Sequence, residues 1–176
     1  MKRLRNISII GLSLILIACS GSSDTSIDGT QVFEPNRAET KGLAKAAFGA
    51  KSFASAQSPA AYGSYARGCL AGGEQLEETG ATWQAMRLSR NRNWAHPEMI
   101  DMVKKLSRVA GSQPGWNGLY VGDMSQPRGG PMLTGHRSHQ IGLDADIWML
   151  PAQNLNLSMK DRENLSSIST RRSGGA

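Results

Sequence analysis

The sequence lacks a strong net charge, internal repeats and coiled-coil heptads. Three of its 20 basic residues precede an N-terminal apolar run, and without them 17 basic residues face 14 acidic ones, a net charge of about +3. Such a mild excess is not the basic footprint of a nucleic-acid-binding protein. The missing repeats exclude a solenoid, and the missing heptads exclude a long helical rod. These absences leave an ordinary globular domain with no nucleic-acid partner.

The N-terminus has the parts of a bacterial export signal. Basic residues at positions 2, 3 and 5 precede an apolar run over residues 7–18, which is too short to span a membrane comfortably. The run ends in Leu16-Ile17-Ala18-Cys19, which resembles a lipobox, whose cysteine is lipidated and becomes the mature N-terminus. Ser20 follows Cys19, whereas an aspartate at this position would hold a lipoprotein at the inner membrane. We therefore expect a lipoprotein that is anchored to the outer membrane and faces the periplasm. An ordinary cleaved signal with a coincidental cysteine is the alternative.

The composition divides the chain into four segments. Residues 1–19 are the predicted signal, and residues 20–60, rich in small and polar side chains, predict a flexible tether. Residues 61–154 carry the patterns of a folded domain. Residues 155–176 are polar without a core-forming pattern, which predicts a disordered or frameshifted tail. Once Cys19 is assigned to lipid, Cys69 is a single thiol in an oxidising compartment, which suggests that its partner is absent.

The clearest secondary-structure signal in the folded segment is a helix that begins after His96. Proline occupies its first turn, apolar residues recur at helical spacing, and Gly111 ends it. His96 is therefore interpreted as a structural residue of the helix start rather than a metal ligand. Alternating patterns predict short strands over residues 83–88 and 118–124, and the glycines and prolines of residues 125–131 predict a loop.

The stretch from Gly135 to Asp146 is the strongest candidate for a functional site. It contains two of the three histidines and two aspartates, and imidazole and carboxylate groups are the usual ligands of catalytic zinc. Gly142 permits a sharp turn, and the alternation after it predicts a strand with Asp144 and Asp146 on one face. His139 before the turn and Asp146 after it can therefore converge on one ion. The alternative is a polar loop with surface histidines and turn-capping aspartates.

Four blocks of the sequence resemble the penicillin-insensitive murein endopeptidases. The blocks are residues 63–69, residues 86–98, Gly-Asp-Met-Ser-Gln-Pro-Arg-Gly-Gly at 122–130, and Gly-His-Arg-Ser-His-Gln-Ile-Gly-Leu-Asp-Ala-Asp at 135–146. The resemblance implies an α+β fold in which a small antiparallel sheet carries a zinc ion and is flanked by helices, as in lysostaphin-type and D-alanyl-D-alanine metallopeptidases. It further implies hydrolysis of the D-alanyl–meso-diaminopimelyl cross-bridge of peptidoglycan.

The resemblance also assigns roles to individual residues. By the motif match, His139 and Asp146 correspond to the first two zinc ligands and His136 to a further, catalytic histidine. Asp144 shares the predicted strand face with Asp146, so it is either an acceptor that orients a ligand or a solvated aspartate. Arg128 lies in a glycine-flanked loop, where it would bind a substrate carboxylate or form a structural salt bridge.

The sequence departs from the family pattern after His139. The family supplies its third zinc ligand from a downstream His-x-His motif, with a catalytic histidine nearby, and no histidine follows His139 here. We therefore expect the fold to be incomplete at the C-terminus, with zinc binding and activity impaired by truncation or a frameshift. The absence of the family's downstream cysteines would explain the single Cys69.

The leading hypothesis is a zinc-dependent murein endopeptidase that uses no serine nucleophile. Consistent with this, the sequence has no Ser-x-x-Lys motif of the penicillin-sensitive enzymes. Two alternatives remain open: a non-catalytic peptidoglycan-binding lipoprotein remnant that keeps half of a metal site, and a D,D-carboxypeptidase built on the same scaffold.

Overall fold

The computed structural model describes residues 37–135 and 137–166. The elements in chain order are α1 (Arg37–Gly49), β1 (Ala60–Ser64), β2 (Arg67–Ala71), β3 (Glu74–Gln75), β4 (Thr79–Gly80), β5 (Trp83–Ala85), a 3-10 turn (Leu88–Arg90), β6 (Trp94–Ala95), α2 (Pro97–Gly111), β7 (Leu119–Val121) and α3 (Met159–Asn164). None of the helices in this part of the chain has the length and apolar character needed to cross a membrane. The predicted signal and Cys19 lie outside the described residues.

The strands form three small sheets instead of the one small antiparallel sheet implied by the resemblance. β1 pairs with β2 and β3 pairs with β6, both antiparallel. In the third sheet β5 is central, antiparallel to β4 and parallel to β7. Each of these strands has only two to five residues. The mixture of helices and small sheets agrees with the predicted α+β class.

The predicted helix after His96 is confirmed as α2. Its first residue is Pro97, and the His96 Nδ1 accepts a hydrogen bond from the Glu98 N–H at 3.4 Å, so His96 is the N-cap. Ile100 and Val103 are buried in the main core, whereas Leu106 on the predicted apolar stripe is 44% exposed. The buried face of α2 therefore continues from Val103 to Ser107, which is fully buried, and not to Leu106 as the sequence pattern indicates.

The described residues form two apolar clusters on opposite sides of β7. The main core combines α2 with β5, β6 and β7, and its largest fully buried members include Leu76, Ile100 and Met124. The second cluster is built from Met86, Tyr120, Trp148 and Ala152, with Leu155, Leu157 and Leu165 packed against it. Burial of these side chains is the main stabilising contribution to the fold.

Segments at both ends of the domain contact it. Within the predicted tether, α1 carries Phe48, whose ring would lie 2.4 Å from a Cβ atom placed on Gly130. Within the predicted tail, α3 begins at Ser158, whose hydroxyl accepts a hydrogen bond from the Asp161 N–H. Residues 155–166, the first half of that tail, are packed against the second cluster and β5.

Arg162 attaches α3 to the central strand. It is 5% exposed, and its guanidinium donates to the carbonyl oxygen of Ala85 at 2.8 Å and to that of Glu78. An arginine is rarely buried to this extent unless its hydrogen bonds are satisfied. Both acceptors belong to the segment around β4 and β5, so Arg162 joins two parts of the chain that are far apart in sequence.

We expect Arg162→Ala to lower the free energy of unfolding by about 2–4 kcal/mol, because the buried Ala85 carbonyl and the Glu78 carbonyl lose their donor. Lys160→Ala is the matched control, since Lys160 is an exposed cation on the same helix, and its effect should stay within about 0.5 kcal/mol. Urea unfolding of the two variants measures the difference. Equal stabilities would contradict the attachment of α3 to the domain.

Candidate metal site

A tight turn brings His139 close to two aspartates. His139 has a φ of 65° and Gly142 a φ of 68°, both in the left-handed region. The backbone N–H of His139 donates to the Asp144 Oδ2 at 3.2 Å, which closes the turn. A Cβ atom on Gly142 would lie 2.9 Å from the His96 nitrogen. Glycine is therefore needed here for its backbone conformation and for the close approach of α2.

The segment after Gly142 does not form the predicted strand. Its one bridge joins Ile147 to Val121 of β7, and Leu143, expected on the apolar face, is 47% exposed. The Asp146 N–H donates to the Asp123 carbonyl at 2.9 Å. The pairing is short because β7 has only three residues, yet it suffices to fix the position of Asp146.

The two aspartates lie on opposite sides of the His139 imidazole. His139 is 2% exposed. Its Nδ1 is 2.8 Å from the Asp144 Oδ2, and its Nε2 is 3.5 Å from the Asp146 Oδ1. A proton on Nδ1 would face the Asp144 carboxylate and leave the Nε2 lone pair on the Asp146 side. Asp144 therefore occupies the position of a group that orients a metal-binding histidine.

The spacing of His139 Nε2 and Asp146 Oδ1 fits two ligands of one zinc ion. Ligand atoms about 2.0–2.1 Å from a tetrahedral ion lie about 3.3 Å from each other, close to the 3.5 Å between these two atoms. The lone pair of a ring nitrogen and a carboxylate oxygen also repel each other unless a proton or a cation lies between them. In the described part of the chain, no group of three histidine, cysteine or carboxylate residues is placed to hold a metal ion. His136, the predicted catalytic histidine, lies outside the described residues.

The electrostatic environment of His139 favours a positive charge. Burial, the largest single influence, lowers its pKa, but the hydrogen bond to Asp146 and the charges of Asp144, Asp146 and Asp123 outweigh burial and raise the pKa above 6.5. Protonation of His139 therefore contributes to the free energy of unfolding. This contribution is complete below pH 6.5 and is lost as the pH rises through the pKa that His139 has in the folded state. The same carboxylates would stabilise a bound metal cation.

Comparison with known proteins identifies the family. Residues 61–176 match the family model described as penicillin-insensitive murein endopeptidase. The chain belongs to this family. A protein named penicillin-insensitive murein endopeptidase from Haemophilus influenzae is 42% identical over 105 residues, which are 60% of this chain and 35% of that protein. One of the same name from Yersinia pestis bv. Antiqua (strain Antiqua) is 40% identical over 99 residues, 56% of this chain and 36% of that protein.

The match covers only part of each relative. A third example, the penicillin-insensitive murein endopeptidase of Salmonella paratyphi B, is 39% identical over 87 residues, 49% of this chain and 31% of that protein. The chain thus spans about a third of the length of the curated relatives that it matches. The family assignment confirms the resemblance stated from the four sequence blocks.

The other predicted site residue of this family member, Arg128, lies in the loop after β7. Its Nε donates to the Phe53 carbonyl at 3.3 Å, and its own carbonyl accepts from the Leu70 N–H at 2.9 Å. Arg128 thus connects β2 with the segment that precedes β1. Its proposed contact with a substrate carboxylate stays a prediction.

The hairpin of β1 and β2 supports the turn that carries His139. The Gln140 N–H donates to the Tyr65 carbonyl at 3.2 Å, and the Gln140 Oε1 accepts from the Gly68 N–H at 3.2 Å. Gln140 is also 6% exposed. The tip of the hairpin is therefore fixed to the residue that follows His139.

Sequence reasoning did not single out Asp123, which lies at the centre of a buried ion-pair cluster. Its side chain is 2% exposed, and its Oδ2 accepts from the Arg92 Nη1 at 2.8 Å and from the Arg90 Nη1 at 3.0 Å. Its backbone carbonyl holds the Asp146 N–H. The signal was present in the sequence, since all three residues belong to the blocks that carry the family resemblance.

We expect Asp146→Asn to lower the pKa of His139, because burial then acts against a weaker opposing charge. Titration of the imidazole by NMR, with a chelator present, measures the change. Asp101→Asn is the control, because Asp101 is exposed on α2 and should leave the pKa of His139 where it is. If the pKa of His139 is the same in the wild type and Asp146→Asn, the described pairing of the two residues is wrong.

Proposed function

We propose that this chain carries the metal site of a zinc-dependent murein endopeptidase that hydrolyses the D-alanyl–meso-diaminopimelyl cross-bridge of peptidoglycan. The observation that supports the proposal is the 3.5 Å separation of His139 Nε2 and Asp146 Oδ1 in a chain of this family. The relatives from Haemophilus influenzae and Yersinia pestis bv. Antiqua are named penicillin-insensitive murein endopeptidases. The bond specificity rests on the family resemblance.

His139 and Asp146 would hold the zinc ion in this proposal. When bound, zinc supplies Lewis acidity, which polarises an amide carbonyl and promotes the ionisation of water. The chain's own residues prepare that site: Asp144 is 2.8 Å from His139 Nδ1 and keeps the ring oriented with Nε2 towards Asp146. His136 is the proposed acid–base residue, because its place in the motif resembles that of the family's further active-site histidine and because proton transfer requires such a group within reach.

A segment exchange with the Haemophilus influenzae relative tests the proposed function. The matched 105-residue segment of that protein is replaced by the corresponding segment of this chain, and digestion of purified cross-linked muropeptide dimers is followed by mass spectrometry. The proposal expects monomers from the hybrid protein and intact dimers from its His139→Ala version. Binding of dimers without cleavage by a zinc-loaded hybrid would instead support the non-catalytic alternative.

We also propose that Cys19 anchors the protein to the outer membrane, facing the periplasm and its peptidoglycan. Support comes from the sequence 16–19 and from Ser20. Metabolic labelling with palmitate should mark the wild type, and Cys19→Ser should lose the label and leave the membrane fraction. A membrane-bound, unlabelled wild-type protein would rule out the lipid anchor.

A further inference from the structure

Two guanidinium groups share one buried carboxylate beside the candidate metal site. Arg92 is 9% exposed and also donates to Thr134, at 2.8 Å to the carbonyl and 3.1 Å to the hydroxyl. The Arg90 side chain is 43% exposed, and within residues 37–135 and 137–166 its guanidinium hydrogen-bonds only to Asp123. The cluster therefore has one positive charge in excess, and the exposed member, Arg90, presents it to solvent.

The backbone conformation around the 3-10 turn fixes the position of Arg90. Arg90 ends the 3-10 turn, which has left-handed residues on both sides, Arg87 with a φ of 57° and Asn91 with a φ of 50°. These are two of the three non-glycine residues with positive φ in the described part of the chain, and the third belongs to the metal site. Glu163 accepts from the Ser89 N–H at 2.8 Å and from its hydroxyl at 2.9 Å. Backbone conformations of this kind persist only where the surroundings enforce them, and they cluster at functional sites.

Asp123 places the Arg90 guanidinium close to the metal site. The Asp146 N–H donates to the Asp123 carbonyl at 2.9 Å, and the Gly122 N–H donates to the Asp146 carbonyl at 2.7 Å. The negative charge of Asp123 also contributes to raising the pKa of His139. Arg90 is thus separated from the predicted ligand Asp146 by a single residue, to which both are hydrogen-bonded.

We propose that Arg90 binds a carboxylate of the peptide substrate, next to the bond that is cleaved. This inference rests on the proposed function. In a peptide bond to diaminopimelate, the carbon that bears the amide nitrogen also bears a free carboxylate, so this group lies within a few bonds of the scissile amide. One Arg90 nitrogen is held by Asp123, and the remaining N–H groups of the planar fork can bind a carboxylate in bidentate fashion. Arg90 is a specificity residue in this role.

The test compares two cross-linked muropeptide dimers that differ in one group. One dimer has the free diaminopimelyl carboxylate beside the cross-bridge, and in the other that carboxylate is a carboxamide. Binding to the full 176-residue chain is measured by titration calorimetry, with a chelator present so that no bond is cleaved. We expect the wild type to bind the carboxylate dimer about tenfold more tightly, and Arg90→Gln to bind both dimers equally. Arg108→Gln, which removes an exposed cation from α2, should keep the wild-type ratio.

The outcomes separate the inference from the proposed function. A wild-type preference that survives in Arg90→Gln overturns the role of Arg90 and leaves the murein assignment intact. Failure of the wild type to bind either dimer overturns both. If Arg90→Gln does not fold, Arg90→Lys is used in its place. Lysine keeps the positive charge but lacks the planar fork, so the preference for the carboxylate dimer over the carboxamide dimer should fall by about threefold. An undiminished ratio in Arg90→Lys contradicts the inference.

Discussion

His139→Ala is expected to reduce the zinc affinity of this protein by at least about 100-fold. The substitution removes one of the two proposed ligands, and a zinc site uses only three or four protein ligands, so the loss should exceed the 10- to 100-fold effect typical of residues that only orient a ligand. His139 Nε2 lies 3.5 Å from Asp146 Oδ1, so Asp146→Ala should have an effect of similar size. Competition titration against a chromophoric chelator measures the affinity.

Two further variants make the zinc experiment specific. His96 is the N-cap of α2, and asparagine is a good N-cap residue, so His96→Asn should keep the wild-type affinity. Asp144→Asn should lose about 10- to 100-fold, because Asp144 orients the imidazole without being a proposed ligand. Wild-type zinc affinity in His139→Ala would mean that the metal site has been assigned to the wrong residues.

Asp123→Ala is expected to have the largest effect on stability, a loss of about 3–5 kcal/mol. The substitution leaves Arg92, which is 9% exposed, without its carboxylate, and an unpaired buried cation is costly. The partly exposed Arg90 contributes less, because solvent screens its charge. Chemical denaturation measures the loss, provided that the variant folds.

Asp101→Ala serves as the control for this experiment, since Asp101 is exposed on α2 and should change stability by no more than about 0.5 kcal/mol. The stability of Asp123→Asn should lie between those of Asp123→Ala and Asp101→Ala, because asparagine keeps a hydrogen-bond acceptor but loses the charge. If Asp123→Ala is as stable as Asp101→Ala, the buried ion-pair cluster does not contribute to the fold.

Local sequence signals were sufficient for α2 and for the turn at the candidate metal site. Proline at the first turn, His96 before it and the apolar repeat define the helix, because each acts through neighbours within one or two turns. Gly142 was recognised as a turn residue for the same reason, and the structure gives it a φ of 68°. The approach of His139 to Asp146 follows from that turn.

Long-range contacts account for what the sequence did not reveal. Asp123 is 33 residues from Arg90 and 31 from Arg92, and no periodic pattern marks such a pairing. Arg162 falls in residues 155–176, whose polar composition predicts a tail, yet it binds the carbonyl of Ala85, 77 residues away in sequence. The division of the strands among three sheets likewise depends on pairings between distant segments, and short strands carry little register information.

The nitrogen resonances of the histidine side chains during a zinc titration test the central claim most directly. The account predicts that zinc shifts the Nε2 resonance of His139 to the position of a metal-bound nitrogen, while its Nδ1 stays protonated beside Asp144, 2.8 Å away. His96 should be unaffected, because it caps α2. Zinc bound without any change at His139 Nε2, or zinc bound at His96, would contradict the account.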